Sequence, residues 1–95
     1  MRAQEIVDLV QGEQLLDVNL IQPAHGGPET LVATVTQIQR EYKHEPIMPA
    51  LIDEVSYEGI LHYSGAEVQR FTFWSAVLSG AAGHTYGANG LWQMN

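Results

Sequence analysis

Pro46-Ile47-Met48-Pro49-Ala50-Leu51-Ile52-Asp53-Glu54-Val55-Ser56-Tyr57 runs directly into Glu58 and Gly59. An apolar run held between turn-formers is the pattern of a short strand buried on both faces. Strand alternation places Met48, Ala50, Ile52 and Glu54 on one face, and Ile47, Leu51 and Asp53 on the other. A carboxylate beside such a run is costly unless something there uses its charge. In parallel α/β architectures the C-terminal strand ends are where active sites collect. Glu54 is therefore the first candidate for chemistry.

Outward from this strand the chain alternates. Towards the N-terminus, residues 28–43 read as a helix. Pro28 suits its first turn, Glu29 its positive dipole end, and Leu31, Val35, Ile38 and Tyr42 its buried stripe. Before it lies the loop Pro23-Ala24-His25-Gly26-Gly27, and before that a second strand over residues 15–22. A first helix is expected over residues 3–11, with Gly12 as its C-terminal cap. Towards the C-terminus, Ser64-Gly65-Ala66-Glu67 has the spacing of a capping box. It opens a helix whose stripe is Phe71, Trp74, Val77, Leu78 and Ala81, ended by Gly80 or Gly83. A short strand is expected over residues 84–86. Helix, strand, helix, strand, helix, strand is the order of βαβ units with a parallel sheet. Three parallel strands leave two bare edges, so the chain reads as part of a larger body prone to self-association through those edges.

The bulk numbers narrow the partners. With 95 residues the chain is at most one small domain. A net charge of −7 with only four Lys and Arg argues against nucleic acid or an anionic membrane as partner. Cysteine is absent, which excludes disulfides and thiolate metal sites. No stretch is long and apolar enough to span a bilayer, and the N-terminus has no run of signal-peptide type. The compartment is not legible from the chain.

Three blocks in this order carry a resemblance: residues 17–26, residues 53–59, and the Gly80-Ala81-Ala82-Gly83-His84-Thr85-Tyr86-Gly87-Ala88-Asn89-Gly90-Leu91-Trp92-Gln93 segment. Together they closely resemble the C-terminal part of the apiosidase-like glycoside hydrolase domain. The resemblance implies a partial (β/α)8 TIM barrel in which residues 1–95 supply the last three strands and their helices, with no second domain. It also implies action on side-chain sugars of plant or microbial polysaccharide, with secretion or a periplasmic location for a full-length protein.

Glycoside hydrolysis generally needs two carboxyl groups flanking the scissile bond. Glu54 fits the nucleophile or base, and the resemblance places a catalytic carboxylate in this Glu-x-x-Tyr-Glu motif. A solvated strand-end acid is the plain alternative. The general acid is expected on an upstream strand, so the chain alone is expected to be inactive. His25 and His84 are expected at the same mouth, where neutral imidazole hydrogen-bonds a sugar hydroxyl or orients Glu54. Tyr57, Tyr86 and Trp92 are candidate stacking platforms, with core packing the alternative. Gln22 is a candidate for sugar hydroxyls. Glu58 touches substrate or holds Tyr57 and the loop, and Asp53 pairs with a helix residue. A metal would need His25, His84 and Glu54 to converge without supporting spacing, so neither metal nor cofactor is expected. The competing reading is a carbohydrate-binding or self-associating module without catalysis.

Overall fold

The computed structural model describes residues 15–94 except 24, 63 and 92, together with Leu9. Apart from Leu9, the expected first helix lies outside the described residues, as do its Gly12 cap and Trp92. The elements are β1 (Asn19–Ile21), α1 (Thr30–Tyr42), β2 (Ala50–Ile52), a 3-10 turn (Ile60–His62), α2 (Ala66–Leu78) and β3 (Gly83–His84). The strands form one parallel sheet in the order β1-β2-β3, with Asn19 opposite Ala50, Ile21 opposite Ile52, and Ile52 opposite His84. Over residues 15–94 the described residues form an α/β fold with a small parallel sheet and two α-helices. No helix among the described residues is long and apolar enough to cross a membrane.

The strands are shorter than the apolar runs that signal them, and the prolines explain one end. Pro49 has no N–H to give, so it contributes only its carbonyl, to the Asn19 N–H at 2.8 Å, and the ladder begins at Ala50. At the other end the Asp53 N–H still reaches the Ile21 carbonyl at 3.0 Å before the chain leaves the sheet.

Aligned residues on parallel strands point the same way. Ile21, Ala50 and Ile52 thus face the helices, where they pack with Ile38, Val55, Ala76 and Ala81 as the core. The opposite face does not match the expected two-sided burial: Leu20 is 53% exposed, because both helices lie on one side.

Both helices are rotated from the stripes their sequences suggest. On α1 the buried residues are Thr34, Ile38 and Glu41, while Tyr42 is exposed. The cause is a buried hydrogen bond of 2.7 Å from Asn19 Nδ2 on β1 to Glu41 Oε2, which turns Glu41 inward. Tyr42 lies instead over Gly80, where an added Cβ would sit 2.7 Å from its ring.

On α2 the correction is larger. Val68, Gln69, Thr72 and Ala76 are buried, whereas Phe71, Trp74 and Leu78 are 63%, 58% and 81% exposed. Small side chains let α2 sit close to the sheet and α1, which leaves the bulky ones outside. The expected capping box does not form either. Gly65 is the N-cap, its carbonyl accepting the Val68 N–H at 3.0 Å, and Ser64 lies one residue too early. Gly80, at φ +111°, follows the Ser79 C-cap and ends the helix as its position suggests.

Candidate active site

Glu54 lies two residues past β2, at the C-terminal end of the parallel sheet. Continued alternation would send it to the helix side with Ala50 and Ile52. The ladder stops first, and Val55 rather than Glu54 joins the core. Three side chains then converge on the Glu54 carboxylate. Gln22 Nε2 donates to Oε2 at 2.9 Å, His25 Nε2 lies 3.0 Å from Oε1, and the Tyr57 hydroxyl donates to Oε1. Gln22 and His25 come from the loop after β1, while Tyr57 comes from the segment after β2. Two adjacent parallel strands thus deliver the cluster at one end.

The electrostatics follow from these bonds. The Tyr57 hydroxyl, with His25 assisting and burial opposing, holds the Glu54 carboxyl below its ordinary value. The same bond pushes the Tyr57 phenol up, so it stays protonated and remains the donor. An ionised carboxylate offers about four acceptor positions. Tyr57 and His25 occupy both on Oε1, and Gln22 takes one on Oε2. One acceptor position on Oε2 is left open among the described residues.

The carboxylate borders a cleft of about 460 Å³ lined by Asp53, Glu54, Tyr57, Thr85, Tyr86 and Leu91, among others. Asp53, expected to pair with a helix residue, is on the cleft wall. Glu58 accepts a 2.7 Å hydrogen bond from the Tyr86 hydroxyl, so it holds Tyr86 rather than Tyr57. This bond also pushes the Tyr86 phenol up. The Glu58 N–H donates to the Gly87 carbonyl at 2.8 Å, and the Glu58 carbonyl accepts from the Asn89 N–H at 2.7 Å. The loops after β2 and β3 are stitched together there. Asn89 closes its own turn, its Oδ1 accepting from Gln93 Nε2 at 3.1 Å.

His84 is not brought to Glu54. Opposite Ile52 in the ladder, it points to the helix layer, with its ring 5.7 Å edge-on from Phe73. Burial there pushes its imidazole down. Among the described residues, no group of three or more His, Asp or Glu side chains is placed to hold a metal ion. The glycines ahead of α1 do not form an anion cradle, because Glu29 Oε1 accepts the Gly27 N–H at 2.7 Å and fills that end.

Sequence reasoning passed over two supports of this cluster. Gly87 carries the Tyr57 ring against its backbone, where an added Cβ would overlap the ring. Ser56, buried between Val55 and Tyr57, receives the Gly26 N–H on its Oγ. A glycine directly after an aromatic strand-end residue was the signal for the first; a single serine gave none for the second.

Comparison with known proteins gives one family and no curated relative. No curated protein matches the chain. The family model described as "Apiosidase-like, catalytic domain" matches residues 1–95, the whole of the chain. By this match, and with a carboxylate cluster at the C-terminal end of its parallel sheet, the chain belongs to the apiosidase-like catalytic domain family, whose function is of glycoside hydrolase type.

Proposed function

We propose that Glu54 is a catalytic carboxylate, the nucleophile or the base for water, in a glycosidase that removes side-chain sugars from plant or microbial polysaccharide. The observation that carries this reading is the threefold anchoring of Glu54 by Gln22, His25 and Tyr57. It keeps the group ionised and aimed while leaving one Oε2 lone pair free. Tyr86 and the acidic wall then receive a neutral, hydroxyl-rich ligand. The segment would be the last three strand–helix units of a (β/α)8 barrel, with the general acid on another strand. The exposed apolar residues Leu20, Trp74 and Leu78, and the edges of β1 and β3, support completion by further units or by self-association.

The test is Glu54→Gln in the whole protein, assayed on aryl glycosides. Loss of turnover on the order of 1000-fold is expected for a residue in the chemistry. Undiminished turnover would overturn the assignment. Oligosaccharide binding without any turnover in the unaltered protein would favour a binding module, for which the aromatic cleft wall of Tyr57 and Tyr86 suffices.

A further inference from the structure

His25 is 42% exposed at its side chain, yet its imidazole meets a single oxygen of Glu54. An exposed imidazole has several rotamers open to it. Its aim therefore depends on where the backbone of the β1–α1 loop is held. That backbone is tied to the segment carrying Glu54 where the Gly26 N–H donates to Ser56 Oγ. Ser56 is in turn tied to α2, because Gln69 Nε2 donates to the Ser56 carbonyl. Ser56 and Gln69 are 3% and 5% exposed, so both bonds are shielded from water.

We propose that Ser56 and Gln69 are positioning residues, which lock the β1–α1 loop to α2 so that His25 reaches Glu54. Among the described residues Gln69 Oε1 is buried without a hydrogen-bond partner, and an unpaired buried amide oxygen costs folding free energy. An apolar residue there would remove that cost but leave the buried Ser56 carbonyl without its Gln69 donor. What Gln69 does is fix the Ser56 peptide, whose neighbour Tyr57 donates to Glu54 and whose hydroxyl holds the neighbour of His25. One buried tie thus sets two of the three donors on the carboxylate. The His25 and Tyr57 rings, 5.1 Å apart and tilted by 49°, are held together by the same tie.

The experiment follows the Glu54 carboxyl by carbon NMR during a pH titration of the whole protein, in four forms: unaltered, Ser56→Ala, His25→Ala and the double variant. His25 supplies part of the effect that lowers the Glu54 midpoint. Each single variant is expected to shift that midpoint upward, and the double variant to add nothing to His25→Ala. An unmoved midpoint in Ser56→Ala, or a full additional shift in the double variant, would overturn the proposal. Should Ser56→Ala fail to fold, Ser56→Cys keeps the size while weakening the acceptor, and the same two outcomes decide. This inference concerns the site proposed above, but the titration needs no turnover. Its failure is distinguishable from an active Glu54→Gln protein, which would remove the catalytic reading alone.

Discussion

Gly87→Ala tests the site through one methyl group. Gly87 is not among the glycines with positive φ, so alanine meets no backbone strain there. The whole effect is steric. The added Cβ would stand 2.8 Å from Tyr57 Cε1 and 3.2 Å from Cγ, and closer still to Cδ1. Carbon atoms rest about 3.5–4.0 Å apart, so the ring must retreat by roughly 1 Å. An O–H···O hydrogen bond spans only about 2.5–3.0 Å, so that retreat breaks the bond from Tyr57 to Glu54. The bond is the largest contribution holding the Glu54 carboxyl down. Without it the carboxyl titrates at higher pH, and the fraction ionised at mildly acidic pH falls. In a pH–rate profile on an aryl glycoside, the acid limb of kcat/KM should move upward. Misplacement by 1 Å also costs on the order of 100-fold in rate. Circular dichroism should show an intact fold, since Gly87 lies outside the core cluster. Unchanged kcat/KM with an unmoved acid limb would refute the role given to Tyr57.

Two further predictions concern folding. Asn19→Ala leaves the buried Glu41 carboxylate without its 2.7 Å donor, and should destabilise the protein by about 3 kcal/mol in urea unfolding. The doubly apolar Asn19→Leu, Glu41→Met variant should lie within about 1 kcal/mol of the parent, and equal losses for both would show that the pair is not the cause. His84 is held neutral by burial, which depresses its imidazole below the ordinary value of 6.5. Below pH 6.5 the unfolded chain takes up a proton that the folded one resists, so stability is present above that pH and lost as pH falls towards the folded pKa. The unfolding midpoint should therefore drop from pH 7.5 to pH 5 by more in the parent than in His84→Leu; parallel slopes would place the effect elsewhere.

The alternation of apolar runs with helical spacing made the parallel βαβ order legible, and Gly80 marked the end of α2 because positive φ favours glycine. The faces of the helices were not legible. Hydrophobic spacing on α2 pointed to Phe71, Trp74 and Leu78, but the sheet and α1 are approached closely enough that Val68, Gln69, Thr72 and Ala76 are buried there instead. On α1 a polar contact decided what apolar spacing could not, because Asn19, 22 residues away, pulls Glu41 inward. His84 was misplaced for a related reason: its position at a strand end was visible, whereas its side of the sheet depends on its register with Ile52.

By itself the sequence determined the strand–helix order from residue 15 onward, the family and the acid at the end of the central strand. These rest on local preferences and on motifs contiguous along the chain. Tertiary structure alone decided that Gln22, His25 and Tyr57 meet on that acid, that Gly87 makes room for the tyrosine, and that Ser56 ties the loop carrying His25. Apart from the bond between Tyr57 and Glu54, which lie three residues apart, these contacts join residues from different loops. Their geometry follows from the ladder register and helix rotation, quantities fixed only when the layers pack.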